Sequence, residues 1–141
     1  MGNGFLNISK DIATIAHQRQ FDKAGKPYIL HPQAVASMVN TDEEKAVAWL
    51  HDTIEDSDFT EQDLIERGIP QQVVEGVVAM TKVKGEAYSN YLQRLKKNDL
   101  ARKVKMADLI HNCDLSRISN PTEKDRIRVE KYKKAMEFLR S

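Results

Sequence analysis

The amino-acid sequence predicts an all-α protein, a compact bundle of about eight short helices. Apolar residues recur at spacings of three and four along most of the 141 residues, as they do on one face of an α-helix. No segment shows a convincing alternation of apolar and polar residues, which is typical of a half-buried strand. A chain of this length lies in the commonest size range for one domain, so residues 1–141 are expected to form a single domain.

The first three helices are marked by their apolar faces and their start signals. The first is expected over residues 5–16, where apolar residues repeat at helical spacing. The second is expected from about Pro32 to Val39, because proline at the first helical position loses no hydrogen bond. The third begins after Thr41, which is followed by three acidic residues, and is expected to end near Asp56.

The remaining helices follow from capping and turn residues. Thr60 with Asp63 resembles a capping box, Pro70 can open the next helix, and Thr122 can cap the last one. Further helices are therefore expected at 60–68, 70–80, 88–95, 100–115 and 122–139.

Composition excludes several classes of protein. The 22 basic and 21 acidic residues nearly balance, so no long-range field favours nucleic acid as a partner. Cys113 is the only cysteine, which excludes an intrachain disulfide and fits a reducing compartment. No apolar run approaches the roughly 20 residues that span a bilayer, and no secretory signal is recognisable. We expect a cytoplasmic protein that binds neither nucleic acid nor membrane.

Four side chains that can bind a metal ion lie in otherwise apolar helical segments. They are His31, the adjacent pair His51 and Asp52, and Asp108. Burying a carboxylate costs several kcal/mol unless it is paired, hydrogen-bonded or bound to a cation. Adjacent helical residues diverge by roughly 100°, so the adjacent pair can share one ion only if other segments complete its shell. His31 and Asp108 would do so, and the four residues predict a divalent-metal site.

The ligand types indicate both the metal and the chemistry. Two imidazoles and two carboxylates leave open positions on a six-coordinate ion, which water and a phosphate oxygen can fill. This arrangement is typical of a metal-dependent hydrolase. Mn²⁺ is the expected ion and Fe²⁺ an alternative, because Mg²⁺ tends to avoid imidazole and Zn²⁺ more often takes a closed tetrahedral site.

Two further carboxylates, Glu55 and Asp56, follow Asp52 at positions i+3 and i+4 of the predicted helix. Like charges raise one another's pKa, which suits one of the two to carry a proton during catalysis. The alternative interpretation is that both residues solvate the end of a helix.

Other polar residues are interpreted as structural. His17 and His111 are expected to be hydrogen-bonded histidines, although His111 lies three residues after Asp108 and a role in orienting a ligand stays open. A group of basic residues is interpreted as charged surface without a role in the site; it comprises Lys96, Lys97, Arg102, Lys103 and Lys105.

Four ordered blocks of sequence carry a family resemblance. They are AHQRQFDKAGKPYILHP (16–32), LHDTIEDS (50–57), VVAMTK (77–82) and VKMADLIHN (104–112). The spaced histidines and aspartates resemble the H…HD…D signature of the HD phosphohydrolase superfamily. The blocks with their flanking residues resemble, in order, the hydrolase domain of RelA/SpoT alarmone enzymes and their small stand-alone relatives.

The resemblance implies an activity and further site residues. The implied reaction is hydrolysis of the 3′-diphosphate of guanosine alarmones such as ppGpp, a small phosphorylated nucleotide. Glu55 and Asp56 match the acidic pair beside the metal in this family. Asn112 matches a position that contacts the nucleotide, and Lys23 matches a basic residue that lines the pocket. Both are therefore expected to bind the substrate.

The chain also departs from the family pattern. Asp22 stands where these hydrolases usually place an arginine that stacks on guanine, and Leu109 and Asp114 each replace another usual arginine. Lost cations and gained acids would weaken the binding of a polyphosphorylated nucleotide. Two alternatives therefore stay open: a nucleotidase or dinucleotide-cofactor phosphatase of the same superfamily, and a non-catalytic module that binds a metal and a nucleotide.

Overall fold

The computed structural model describes residues 4–22, 24–114 and 120–141. Across these ranges the chain forms nine helices and no strand, which confirms the predicted all-helical class. The helices are α1 (Gly4–His17), α2 (Leu30–Ser37), α3 (Asp42–Leu50), α4 (Thr53–Asp56), α5 (Glu61–Glu66), α6 (Gln71–Met80), α7 (Tyr88–Lys96), α8 (Asp99–Asn112) and α9 (Glu123–Arg140).

The helix that was predicted to run from Thr41 to near Asp56 is divided into α3 and α4. The break falls at His51 and Asp52, and Asp52 has a φ of −106° and a ψ of 0°. The Thr53 hydroxyl donates to the Leu50 carbonyl over 2.8 Å, which satisfies an acceptor at the end of α3. The break allows the adjacent side chains of His51 and Asp52 to converge, whereas in a regular helix they would diverge by roughly 100°.

Helix α2 begins two residues earlier than the sequence predicts. The backbone N–H groups of Leu30 and His31 donate to the carbonyls of Pro27 and Tyr28, at 3.2 and 2.9 Å. This turn leads directly into α2, so Pro32 is the third residue of the helix. Proline is tolerated there because backbone N–H groups in the first turn of a helix have no partner within it. His31 therefore lies in the first turn of α2.

Reciprocal capping boxes open three helices, as the threonines of the sequence suggest. They pair Thr41 with Glu44 in α3, Thr60 with Asp63 in α5, and Thr122 with Asp125 in α9. In the first of them, burial opposes ionisation of Glu44. Backbone N–H donors from Thr41 and Asn40 outweigh that effect and lower the pKa of Glu44. The start of α3 is thereby fixed by an ionised, buried side chain.

The centre of the fold is α3, which packs against α1, α2, α6 and α8. Its residues Ala46, Val47 and Leu50 are fully buried. Helix α8 contacts α2, α3 and α6 on one side and α7 and α9 on others. The residues that the sequence singles out lie where α2, the end of α3 and α8 meet. In the described part of the chain, no helix is long and apolar enough to cross a membrane.

Gly76 allows α6 to approach α3 closely. A Cβ atom at this position would lie 2.9 Å from Cγ2 of Val47, closer than real Cβ contacts occur. Val47 is completely buried, and its β-branched side chain is stiff about χ1, so it has little room to move. The absence of a side chain at residue 76 therefore sets the spacing of these two helices.

Gly76→Ala is expected to destabilise the protein by roughly 1–3 kcal/mol through overpacking. Alanine is the better helix former by about 1 kcal/mol, so the propensity of the new residue would act in the opposite direction. Urea unfolding measures the change, and Glu75→Ala, at the exposed neighbouring position, is the control. A Gly76→Ala protein as stable as the wild type would contradict the close helix contact.

Candidate metal centre

The structure brings the four predicted metal ligands together from three parts of the fold. His31 comes from α2, His51 and Asp52 from the break between α3 and α4, and Asp108 from α8. His31 and His51 are each 3% exposed and Asp108 is 4% exposed, whereas Asp52 is less deeply buried. The four side chains therefore form one cluster at the edge of the core.

One oxygen of Asp108 lies at the centre of this cluster. Its Oδ1 is 2.7 Å from Nε2 of His31 and 3.3 Å from Nε2 of His51. Nε2 of His51 is also 3.1 Å from Oδ2 of Asp52. One potential ligand atom each from His31, His51 and Asp108 lies within 4.8 Å of the others, a spacing that could hold a metal ion.

The hydrogen bonding of His51 fits a metal ligand. Its Nδ1 is 2.6 Å from the carbonyl oxygen of Ala48. A carbonyl oxygen can only accept a hydrogen bond, so Nδ1 carries a hydrogen and is the donor. In the neutral ring the lone pair is therefore on Nε2. That atom is buried and has no hydrogen-bond partner among the described residues, although the carboxylates of Asp52 and Asp108 lie nearby. A lone pair facing two carboxylates requires a cation or a proton between them, so these residues fit a divalent metal.

The pKa values of the cluster express the same requirement. Burial lowers the pKa of His51, but the charges of Asp52 and Asp108 outweigh burial and raise it well above its ordinary value. Burial likewise opposes ionisation of Asp52, yet the neighbouring His51 lowers its pKa to about 2. Without a metal, a proton on His51 thus occupies the place that a cation would take between the carboxylates.

His111 contacts the other imidazole of the cluster. Its Nδ1 is 2.7 Å from Nδ1 of His31, and the two rings stack with centroids 4.9 Å apart. If Nε2 of His31 binds a metal, its Nδ1 carries the proton and donates to His111, which fixes the orientation of the ring. Of the two interpretations of His111, the contact favours the orienting role. In the sequence, this role was indicated only by the position of His111 three residues after Asp108.

Tyr28 is a member of the cluster that sequence reasoning missed. Its hydroxyl donates to Oδ2 of Asp52. Burial and then the charge of Asp52 raise the pKa of Tyr28, so the hydroxyl keeps its proton and stays a donor. The ring of His17 lies 5.0 Å from that of Tyr28, and Nδ1 of His17 is 2.8 Å from Oε1 of Gln20. The position of Tyr28, three residues before His31, was the local signal.

Lys105 is not part of an exposed basic surface, and that interpretation was wrong for this residue. Its side chain is 14% exposed, and its Nζ is 3.0 Å from Oδ2 of Asp108. The two residues are three positions apart on α8, so they share one face of the helix. The same face that buries Asp108 therefore buries the lysine with it.

The predicted catalytic pair lies at the exposed edge of the cluster. Oε1 of Glu55 accepts a hydrogen bond of 3.1 Å from the backbone N–H of Lys82, so this side chain contacts the loop after α6. Partial burial, then the charges of Asp52 and Glu55, raise the pKa of Asp56 to about 6. The two carboxylates are therefore different: Glu55 contacts the backbone, and Asp56 has a pKa near neutrality.

Of the two predicted substrate-binding residues, the structure describes only Asn112. Nδ2 of Asn112 is 3.2 Å from Oδ1 of Asp108, so the structure places this side chain beside the candidate ligands. Lys23 lies outside the described residues.

The departures from the family pattern have structural explanations in two cases. Oδ1 of Asp22 accepts hydrogen bonds from the backbone N–H groups of Ala24 and Lys26, at 2.9 and 3.0 Å, and so stabilises the turn before α2. Leu109 is fully buried and belongs to the hydrophobic core. Asp114 is exposed at the end of α8.

Comparison with known proteins identifies relatives of this chain. No protein-family model matches it. The guanosine-3′,5′-bis(diphosphate) 3′-pyrophosphohydrolase of Haemophilus influenzae is 35% identical over 133 residues, covering 84% of this chain and 20% of that protein. A protein of the same description from Vibrio cholerae is 39% identical over 85 residues, covering 56% of this chain and 12% of that protein. The chain thus spans a fifth or less of the length of these relatives.

Other relatives and a solved structure extend the comparison. A probable GTP pyrophosphokinase of Mycobacterium leprae is 30% identical over 128 residues, covering 82% of this chain and 16% of that protein. A metazoan ortholog of SpoT, described as hydrolysing ppGpp, superposes with a TM-score of 0.82 and 22% identity, covering 98% of this chain and 86% of that chain. At this identity the superposition establishes the fold. Together these similarities confirm the resemblance that the four ordered blocks indicate.

His111→Ala is expected to weaken divalent-metal binding by roughly 10- to 100-fold, because the Nδ1 proton of His31 loses its acceptor. Titration calorimetry with Mn²⁺ measures the affinity. Ile110→Ala, at the adjacent and 47% exposed position, is the matched control. An unchanged Mn²⁺ affinity in His111→Ala would show that the contact does not orient His31.

Asp56→Asn is expected to stabilise the metal-free protein at about pH 8 and to do so less at about pH 4.5. The folded protein holds the Asp56 proton up to about pH 6, whereas the ordinary pKa is 3.8. Ionisation therefore destabilises the folded state, and this penalty is complete above pH 6. Thermal unfolding at both pH values measures the effect, with Asp11→Asn on the exposed face of α1 as control. A Tm difference that does not depend on pH would contradict the raised pKa.

Proposed function

We propose that this HD-type hydrolase domain is a divalent-metal-dependent phosphohydrolase that removes the 3′-diphosphate from guanosine-3′,5′-bis(diphosphate). The observation that carries the proposal is the buried His31, His51 and Asp108 cluster. In the part of the chain that the structure describes, Nε2 of His51 faces two carboxylates and has no hydrogen-bond partner. The printed activities of the relatives do not decide the reaction by themselves, because a pyrophosphohydrolase and a pyrophosphokinase both match the chain. The chemistry of the cluster favours hydrolysis.

The metal ligands in this proposal are His31, His51, Asp52 and Asp108. Mixed imidazole and carboxylate donors suit Mn²⁺, with Fe²⁺ as the alternative. A divalent ion bound here would lower the pKa of a water molecule and offset the negative charge of the phosphoryl group. Tyr28 and His111 hold Asp52 and His31 in place through their hydrogen bonds. We place this activity in one domain over 1–141, in the cytoplasm.

Asp56 is the proposed proton carrier. A pKa of about 6 leaves its carboxylate largely ionised at neutral pH but still able to accept a proton from the attacking water. The same group can then return the proton to the leaving oxygen. Glu55 supports this step in two ways: its charge raises the pKa of Asp56, and its side chain holds the loop at Lys82 beside the site.

Lys23 and Asn112 are the proposed substrate-binding residues. A lysine suits the phosphate groups as a flexible point charge. Asn112 lies beside Asp108, where its amide can contact the part of the nucleotide nearest the metal.

A second candidate function follows from the turn that precedes α2. Asp22 stands where the resemblance would place an arginine for guanine, and its carboxylate is bound to the backbone of that turn. Leu109 replaces a different arginine that is usual in the family, and it is enclosed in the core. A pocket without these cations would select less strongly for guanine and for a high phosphate charge. A nucleotidase or dinucleotide-cofactor phosphatase that releases orthophosphate is therefore the alternative.

A substrate panel separates the two candidates. The metal-depleted protein is reconstituted with Mn²⁺ and assayed with ppGpp, simple nucleoside phosphates and phosphorylated dinucleotides. Pyrophosphate release from ppGpp, well above any release from the other compounds, supports the first proposal. Orthophosphate release from the other compounds supports the second. Nucleotide binding without turnover in saturating Mn²⁺ would contradict both and indicate a non-catalytic module.

Asp52→Ala is expected to lower phosphate release by more than about 100-fold, the upper range for residues that only orient a ligand. The reason is the loss of a carboxylate 3.1 Å from Nε2 of His51. Steady-state assays in Mn²⁺ measure the change, with Asp11→Ala on the exposed face of α1 as control. A variant that keeps full phosphate release would overturn the metal-dependent mechanism.

A further inference from the structure

Lys105 is the one lysine whose ammonium group contacts the candidate ligands within the described ranges. Its Nζ is 3.0 Å from Oδ2 of Asp108, and its side chain is 14% exposed. The two groups form an ion pair that is largely removed from water.

The surroundings of Lys105 restrict where its ammonium group can go. Nζ lies 5.5 Å from the centre of the Tyr91 ring, a cation–π distance. The hydroxyl of Tyr91 donates to the Met80 carbonyl over 2.7 Å, which fixes that ring against α6. The lysine is held between a fixed aromatic ring and one oxygen of Asp108.

The two oxygens of Asp108 consequently have different neighbours. Oδ1 faces His31 and His51, at 2.7 and 3.3 Å, and also accepts from Asn112. Oδ2 faces Lys105. Oδ1 is thus the oxygen that contacts the two histidines, whose ring nitrogens would share a metal ion with it.

We propose that Lys105 is a positioning residue, which restricts Asp108 to binding the metal through Oδ1 and balances its charge before the metal arrives. The inference rests on the proposed metal site. The histidines and Asn112 contact Oδ1, so a buried Asp108 without Lys105 would leave Oδ2 with no cationic partner and would destabilise the metal-free fold. The ammonium group prevents this and at the same time keeps Oδ2 from becoming a second metal ligand.

The proposal predicts opposite changes in metal affinity and in turnover. In Lys105→Met one positive charge is removed from beside Asp108, so Mn²⁺ should bind about tenfold more tightly. The metal-free form should lose more thermal stability than the Mn²⁺-loaded form, so that the metal-induced rise in Tm becomes larger. Turnover should fall, because Oδ2 is free to bind the metal and occupy a position needed by water or substrate. Lys105→Arg, which keeps the charge, should restore most of the wild-type behaviour.

The experiment compares the wild type with Lys105→Met, Lys105→Arg and the control Lys133→Met. Lys133 is an exposed lysine on α9 whose ion pair with Glu130 spans 3.5 Å. Titration calorimetry gives the Mn²⁺ affinity, and thermal unfolding in EDTA and in Mn²⁺ gives the two Tm values. Equal losses of Tm in both forms, with an unchanged Mn²⁺ affinity, would show that Lys105 only fills space and would overturn the inference.

A double variant keeps the test decisive if Lys105→Met does not fold without metal. Lys105→Met combined with Asp108→Asn removes both charges, and it should recover metal-free folding. If the double variant also fails to fold without metal, as Lys105→Met does in this case, the charge-balancing role is contradicted. If the wild type binds no Mn²⁺, the proposed function itself is overturned. If the wild type and Lys105→Met bind Mn²⁺ with the same affinity, only this inference is overturned.

Discussion

The buried charge of Asp108 is the constraint on which the rest of the site depends. Its carboxylate lies where α2, α3 and α8 meet, and burial alone would raise its pKa and favour the neutral acid. Lys105 first, and then His31 and His51, outweigh that effect and hold the pKa of Asp108 well below its ordinary range. A charged carboxylate thus persists inside an apolar bundle, and the neighbouring polar groups are arranged around it.

The helix ends make this arrangement possible. The capping box of Thr41 fixes the start of α3, and the Asn98 side chain accepts from the backbone of Ala101 to fix the start of α8. At its other end α3 stops at Leu50, and His51 and Asp52 form the break before α4 begins. The site therefore lies between helices whose starts are fixed by capping. Its residues His51 and Asp52 lie outside the helices, where the backbone departs from helical geometry and lets the two side chains converge.

The helical class, and the positions of the four residues that the fold brings together, could be predicted because both leave local signals in the sequence. The break between α3 and α4 could not, since no glycine or proline marks it and a threonine such as Thr53 is also common within helices. Tyr28 was missed because its hydrogen-bond partner Asp52 is 24 residues away, and its spacing from His31 was too weak a signal by itself. Lys105 did leave a local signal, its spacing from Asp108, but lysines are almost always exposed and that general tendency outweighed it.

Leu109 has a consequence for how the specificity of this domain could change. The side chain is fully enclosed by the core, at a position where the resemblance would place an arginine. Restoring that arginine in one step would bury a guanidinium group among apolar residues, and the loss of folding would outweigh any gain in nucleotide binding. Asp22, in contrast, lies in a surface turn where a neutral amide could accept the same two backbone hydrogen bonds. The negative charge at position 22 could therefore be removed without loss of the turn, whereas Leu109 is held in place by core packing on α8.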